Sequence, residues 1–240
     1  MTESTVPPPP APDDDLAVPM QRVVRFVQQL SHDLRNHLNA VELQSAYLTE
    51  ITGDDEVKSE VKRLRAMLSE LSGSLQKLTA SLAQVKLTEM TYGAADLTED
   101  LQRKVKAEFP EQASSVQWEV AVERAAVVEI DPQLLQEALL ELFRNAFQHC
   151  RGEGRMRAAA RVRDRFFSFT LTEAKKNFDK LTENWGAQPF ESLSHHHYGL
   201  GLHRARGILL AHRGQLSARY DSATSSLVTE VVLPLSTGSL

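Results

Sequence analysis

Residues 57–85 read VKSEVKRLRAMLSELSGSLQKLTASLAQV, and apolar residues recur along this stretch at alternating spacings of four and three. The apolar positions are Val57, Val61, Leu64, Leu68, Leu71, Leu75, Leu78, Leu82 and Val85. They make four heptads with apolar a and d positions, which is typical of a coiled coil or of a helix in a bundle. The stretch therefore predicts one long helix with a continuous apolar seam.

A second apolar stripe precedes this helix, from Val18 to about Thr49. Its members lie three, four or seven residues apart, at Val23, Val27, Leu30, Leu34, Leu38, Val41 and Leu48. Between the two stripes, residues 51–55 (ITGDD) supply a glycine that ends one helix and aspartates that cap the next. Two long helices joined by a short turn form an antiparallel hairpin. Because a lone hairpin leaves much of its apolar surface in water, we expect two copies to pair as a homodimeric four-helix bundle.

The sequence after Gly93 alternates between helical and strand-like segments. Helices are predicted over 97–109, 132–149 and 202–212, and strands over 116–122, 126–130, 155–163, 166–172, 215–220 and 227–233. Asp131 precedes Pro132 in the order expected for an N-cap and a first helical residue. This interleaving predicts an α/β sandwich with helices on one face of the sheet. The predicted domains are a disordered Pro/Asp-rich tail (1–19), a helical hairpin (20–90) and an α/β domain (91–240).

Composition and charge exclude several classes of function. The chain has 240 residues, and no apolar run approaches the roughly 20 residues that a membrane-spanning helix needs. Its N-terminus is polar and proline-rich where a signal peptide would be apolar, so we expect a cytoplasmic protein without membrane insertion. A net charge of −5 argues against a nucleic-acid binder, and the single cysteine, Cys150, excludes an internal disulfide.

The first predicted helix carries the motif SHDLRNHLN at residues 31–39. At 100° per residue, His32 points away from the apolar stripe, on the same side as Asn36, and Asp33 follows it directly. An exposed imidazole beside a carboxylate has the chemistry of an activated nucleophile, although a surface histidine among polar neighbours is the ordinary alternative. His37 falls on the apolar face, so we expect it in an interface or a core.

Two further motifs lie in the α/β part. Residues 141–149 read ELFRNAFQH, and a polar stripe runs along this helix through Glu137, Glu141, Asn145 and His149. Carboxylate, carboxamide and imidazole groups on consecutive turns can hold a magnesium ion and phosphate oxygens, while a solvated helix face is the alternative. Residues 198–202 read YGLGL before a helix, where Gly199 and Gly201 allow backbone N–H groups to approach an anion.

Together and in this order, the three motifs resemble those of the histidine kinases of two-component signalling. Residues 31–39 resemble the H box, residues 141–149 the N box of the ATP-binding domain shared with gyrase and Hsp90, and residues 199–202 the second glycine box. The resemblance covers about residues 20–235. It implies a dimerisation and histidine-phosphotransfer hairpin followed by a GHKL-type ATPase domain.

The resemblance also implies roles for single residues. His32 would be the phosphoacceptor, Asp33 the acidic neighbour that orients or deprotonates it, and Asn36 the residue that positions a water for dephosphorylation. Asn145 would be the magnesium ligand; the other implied ATP-binding residues are Glu141, His149, Glu173, Gly199 and Gly201. The implied cofactors are ATP and Mg²⁺, and the implied partners are a second copy of the chain and a response-regulator receiver domain.

One motif departs from the family pattern. The first glycine box, Asp-x-Gly-x-Gly, should follow the strand predicted over 166–172, but residues 173–177 read EAKKN. Glu173 stands in place of the adenine-binding aspartate, and Lys175 and Asn177 replace glycines that permit close backbone approach. Three functions stay open: a histidine kinase passing phosphate from ATP to a response-regulator aspartate, an ATP-independent histidine phosphotransferase or phosphatase, and a non-catalytic dimeric scaffold.

Overall fold

The computed structural model describes residues 20–148, 152, 154–175, 178, 182–190 and 199–236. The predicted tail over 1–19 lies outside the described residues, as do two residues of the predicted nucleotide site, His149 and Asn177. The chain divides into two compact units, with the boundary between Ala80 and Ser81. Over the described residues, no helix combines the length and the apolar character that crossing a bilayer requires.

The first unit contains the two predicted long helices, α1 (Met20–Ile51) and, except for its last two residues, α2 (Asp55–Leu82). Asp54 caps α2, because its Oδ1 accepts hydrogen bonds from the backbone N–H groups of Glu56 at 2.8 Å and Val57 at 3.4 Å. An ion pair of 2.7 Å between Arg65 and Glu42 joins the two helices. The apolar stripe thus predicted α1 and the heptads predicted α2, although α2 ends before Val85, which packs against the core of the second unit.

The apolar residues of the hairpin fall into two rows that differ in exposure. Val61 is buried in this unit, as are Ser31 and Ser45 on α1. A second row, which we call the outer apolar row, is 38–51% exposed and consists of Leu30, Leu34, Val41, Leu48, Val57, Leu64 and Leu71. His37 is exposed within this row, between Leu34 and Val41, so the expectation that it lies in a core of the chain is wrong.

The second unit is an α/β domain. Its helices are α3 (Ala94–Glu108), α4 (Pro110–Ala113), α5 (Pro132–Gln148) and α6 (Gly201–Ala211). Its strands are β1 (Met90–Gly93), β2 (Val116–Ala121), β3 (Val127–Ile130), β4 (Met156–Arg163), β5 (Phe166–Ala174), β6 (Gln215–Asp221) and β7 (Ser226–Pro234). Five strands form a sheet in the order β2-β4-β5-β7-β6, in which only β2 and β4 are parallel, and β1 pairs with β3.

One face of the five-stranded sheet is buried beneath the helices. Phe167, Phe169 and Leu171 alternate along β5 and are each about 1% exposed, and Phe143 of α5 packs against Phe169. Asp164 and Arg165 form the β4–β5 turn with φ of 48° and 69°, as expected for a two-residue hairpin of type I′. This arrangement is the predicted α/β sandwich.

Two short elements were missed by the sequence analysis. Strand β1 and helix α4 have four residues each, too few for a periodic pattern to develop. Residues 81–89, predicted with the hairpin, group with the second unit. In that segment the carbonyl of Ala83 accepts a hydrogen bond from the guanidinium of Arg204 at 3.1 Å. The N–H of Thr88 donates to the carboxylate of Asp131 at 3.0 Å.

Candidate functional site

His32 lies on the solvent face of α1, and its side chain is 66% exposed. Its Nδ1 lies 3.3 Å from Oδ1 of Asp33 and 3.4 Å from the amide nitrogen of Asn36, one turn later on the helix. Gln29 lies one turn before Asp33 and donates from Nε2 to the same Oδ1 at 3.0 Å. The structure therefore brings together the three catalytic candidates His32, Asp33 and Asn36.

Nδ1 of His32 has two neighbours with opposite hydrogen-bonding requirements. The hydrogen bond from His32, and after it the one from Gln29, hold the pKa of the Asp33 carboxyl below its usual value. Asp33 is therefore ionised at neutral pH and acts only as an acceptor, whereas Nδ2 of Asn36 acts only as a donor. In the tautomer that donates from Nδ1 to Asp33, the lone pair of the imidazole lies on Nε2.

In the second unit, α5 carries the polar stripe predicted from the sequence. Asp131 is its N-cap, accepting at Oδ1 from the backbone N–H groups of Gln133 and Leu134 at 3.1 Å each. Glu137 is exposed, and Glu141 and Asn145 are half-buried. Arg144 forms an ion pair with Glu141 and another with Glu108 at 3.1 Å, which links α5 to the end of α3.

The structure also brings Glu141 to the first turn of α6. A β-carbon built on Gly201, the first residue of that helix, would lie 1.8 Å from Oε1 of Glu141. A β-carbon there would require the carboxylate to move. Gly199 has a φ of 61°, in the left-handed region that favours glycine. The structure therefore places a carboxylate of α5 against the first turn of α6.

The segment that replaces the first glycine box contains a buried ion pair. Nζ of Lys175 lies 2.7 Å from Oε2 of Glu173, and the two side chains are 3% and 4% exposed. Glu173 and Ala174 belong to β5 and pair with β7, and the N–H of Lys175 donates to the carbonyl of Ser225 at 2.9 Å. Over residues 173–175 the backbone is therefore paired like a strand, not open like a glycine-rich loop.

These residues fit one end of an ATP–magnesium complex and not the other. Glu141 and Asn145 have the oxygen donors that magnesium prefers, although the described residues include no group of three or more His, Cys, Asp or Glu that could bind a metal. At the position where the resemblance implies the adenine-binding aspartate, the carboxylate of Glu173 is already paired with an ammonium group, and both side chains are buried. The chemistry of this pair does not fit an adenine amino group.

Two contacts of these sites were not predicted from the sequence. Gln29 donates a hydrogen bond to Asp33. The two residues are four apart on a helix, and this spacing could have predicted the contact from the sequence. Glu173 and Lys175 are two residues apart on a strand and so share one face, which is a usable signal for their ion pair. In the sequence, Lys175 was interpreted only as the loss of a glycine.

Comparison with known proteins places the fold among solved histidine kinases. Full-length ShkA, in complex with AMPPNP, matches 90% of this chain with a TM-score of 0.67 and 17% identity. The histidine kinase AdeS of Acinetobacter baumannii matches 86% of the chain and 98% of its own length, with a TM-score of 0.51 and 16% identity. The catalytic domain of the histidine kinase ThkA matches 61% of the chain and 95% of its own length, with a TM-score of 0.50 and 15% identity.

The predicted resemblance to histidine kinases is thus confirmed at the level of the fold. This chain spans about half of ShkA, 47% of its length. No family model matches the chain, and no curated protein is similar to it in sequence.

Proposed function

We propose that this protein carries a phosphoryl group on His32 and exchanges it with an aspartate of a response-regulator receiver domain, in two-component signalling. The observation that carries the proposal is the exposed imidazole of His32 with Nδ1 against the ionised Asp33. An exposed helical face allows a second protein to bring a phosphoaspartate in line with Nε2, within the 3–3.5 Å or so that reacting atoms need. The fold shared with histidine kinases supports the same function.

The transfer step follows from the tautomer of His32. The lone pair of Nε2 attacks the phosphorus of the acyl phosphate, a P–N bond forms, and the bond from phosphorus to the aspartate oxygen breaks with its electron pair left on the receiver carboxylate. The phosphorylated imidazole becomes a cation, and the carboxylate of Asp33 at Nδ1–H compensates its charge. The reverse step returns the phosphoryl group to a receiver aspartate. No co-reactant is consumed.

Asn36 has a different proposed role. Its side chain is exposed one turn from His32. A carboxamide there can hold a water molecule in line with the phosphorus of a bound phosphoaspartate, so that water replaces His32 as the nucleophile. Asn36 would then serve a phosphatase activity without being needed for phosphoryl transfer.

We also propose that the hairpin pairs with that of a second copy to give a homodimeric four-helix bundle. The outer apolar row extends along both helices and is more than a third exposed in the single chain. A second copy would remove this row, with His37 inside it, from water. We place the exchange in the cytoplasm, where receiver domains are found.

A histidine kinase, with ATP as phosphoryl donor, is the second candidate. ShkA was solved in complex with AMPPNP, and Glu141 and Asn145 suit the phosphate end of such a ligand. The buried pair of Glu173 and Lys175 favours instead a phosphotransferase or phosphatase that does not use ATP. Binding of a nucleotide with magnesium separates the two candidates.

A transfer assay tests the proposal. A receiver domain charged with radiolabelled acetyl phosphate is mixed with the wild type, His32→Ala or His37→Ala. We expect acid-labile label on the wild type and on His37→Ala, and none on His32→Ala, while circular dichroism finds all three folded. Acid-labile label on His32→Ala would contradict the phosphohistidine assignment and favour the scaffold.

A further inference from the structure

We infer that the adenine end of the nucleotide site is closed in this chain by the ion pair of Lys175 and Glu173, so that the phosphoryl group on His32 comes from a protein acyl phosphate and not from ATP. The first half of this inference concerns the second unit alone. The second half, on the source of the phosphoryl group, rests on the proposed function of His32.

The inference is based on the burial and the charge of the Lys175–Glu173 pair. Both side chains are at least 96% buried, and Nζ of Lys175 lies 2.7 Å from Oε2 of Glu173. A neutral amino group of adenine would have to displace a full ammonium charge from this carboxylate. Displacing it would leave a buried cation without its counter-ion, which is far costlier than the hydrogen bond gained.

The backbone around the pair is also held from both sides. Glu173 and Ala174 pair with Leu227 and Ser226 of β7. On the other side, the N–H of Gly152 donates to the carbonyl of Ala174 at 2.8 Å, and a β-carbon on Gly152 would lie 3.1 Å from the carbonyl carbon of Ala174. Over residues 173–175, which the structure describes, these backbone groups are paired as in a strand and not free to bind a ligand.

This closure gives the protein a place in a reaction sequence. With no nucleotide as donor, the preceding reaction must be one that leaves a phosphoryl group on a receiver aspartate. The protein would take that group at Nε2 of His32, release the donor carboxylate, and pass the group to the aspartate of another receiver. Acyl phosphate and phosphohistidine interconvert in both directions without a further reagent, so the sequence is chemically complete.

Calorimetry and thermal unfolding of the full chain with magnesium and AMPPNP test the closure. We expect no heat of binding and no shift of the unfolding temperature at millimolar nucleotide. A rise in unfolding temperature with AMPPNP that disappears in Asn145→Ala would overturn the inference. Labelling of His32 by [γ-³²P]ATP would overturn it too, while leaving the proposed role of His32 intact.

Variants of the pair test its structural role independently. Lys175→Met leaves Glu173 buried without its cation and should lower the unfolding temperature by several degrees. The charge-free double variant Glu173→Gln with Lys175→Met should recover most of that loss, and it serves as the folded reference if the single variant does not fold. Equal unfolding temperatures for the wild type and Lys175→Met would overturn the inference.

Discussion

At the scale of single residues, the chemistry of His32 depends on a carboxylate that stays ionised while exposed to water. Asp33 meets this requirement because two hydrogen-bond donors, His32 and Gln29, share its Oδ1. His37 is five residues further along the same helix and also exposed, yet it has no carboxylate partner among the hydrogen bonds and ion pairs of the described residues. Neighbouring carboxylates, not exposure, distinguish the two histidines.

The first prediction concerns the pKa of Asp33. Because Gln29 lowers this pKa, Gln29→Ala should move it upward, toward the usual aspartate value of about 4. A folded-state pKa below the unfolded one means that Asp33 stabilises the fold above the unfolded pKa, and that this contribution is lost as the pH falls through the folded pKa. Carbon-13 NMR titration of the Asp33 carboxyl measures the change, and an unchanged midpoint would contradict the hydrogen bond from Gln29.

The sequence predicted the proximity of His32, Asp33 and Asn36 because their pattern is local. His32, Asp33 and Asn36 lie within five residues on one helix, so helical geometry alone places them together. The contact of Glu141 with Gly201 joins residues 60 positions apart, and only the packing of α5 against α6 creates it. The two motifs contain Glu141 and Gly201, but they do not predict that the carboxylate of Glu141 contacts the first turn of α6.

At the scale of elements, the junction of α5 and α6 gives the second prediction. Gly201→Ala should lose most of the roughly 0.5–1 kcal/mol that alanine ordinarily contributes over glycine in a helix, because its β-carbon must displace the carboxylate of Glu141. Gly207→Ala, in the same helix, is the matched control: its β-carbon would have no heavy atom closer than 3.9 Å, and it should stabilise by about 0.5–1 kcal/mol. Urea unfolding measures both, and equal effects would contradict the placement of Glu141.

The third prediction concerns the cap of α5. Burial alone would raise the pKa of the Asp131 carboxyl, but backbone hydrogen bonds from Thr88, Leu134 and Gln133 hold it below its usual value. Asp131→Ala should therefore lower the free energy of unfolding by about 1–2 kcal/mol at neutral pH.

The difference between wild type and Asp131→Ala should shrink as the pH falls through the lowered pKa of Asp131, since the stabilising contribution belongs to the ionised form. Asp131→Asn, which keeps an accepting oxygen, serves as the control. Its free energy of unfolding should fall less than that of Asp131→Ala. A loss for Asp131→Ala that persists unchanged at acidic pH would argue against the carboxylate as the cap.

At the scale of the whole molecule, the hairpin has an apolar surface that is more than a third exposed among the described residues. The heptads predicted α2 as far as Leu82, but heptad spacing does not tell which row packs within a hairpin and which faces outward. In the structure, Val61 is 8% exposed while Leu64 and Leu71 are 38% and 51% exposed. Only the position of α1 separates the rows, and that is a tertiary property.

The fourth prediction follows from this exposed row. Leu64→Asp with Leu71→Asp places two charges in the outer apolar row and should convert a dimer into a monomer while the hairpin stays helical. Ser69→Asp with Gln76→Asp adds the same two charges at the same spacing on exposed positions outside the row, and should leave the dimer intact. Sedimentation equilibrium should give twice the 26.8 kDa of the chain for the wild type, and a monomeric mass at micromolar concentration would contradict the four-helix bundle.

The position of the phosphoryl group on the histidine ring is the decisive observation for phosphoryl transfer through His32. The protein, with histidine labelled with nitrogen-15, is phosphorylated by a charged receiver domain, and the nitrogen bonded to phosphorus is identified by NMR. Because Nε2 is the nucleophile in the tautomer that donates from Nδ1 to Asp33, we predict a single phosphohistidine, at Nε2 of His32. Phosphorus on Nδ1 of His32, or on His37, would contradict this assignment.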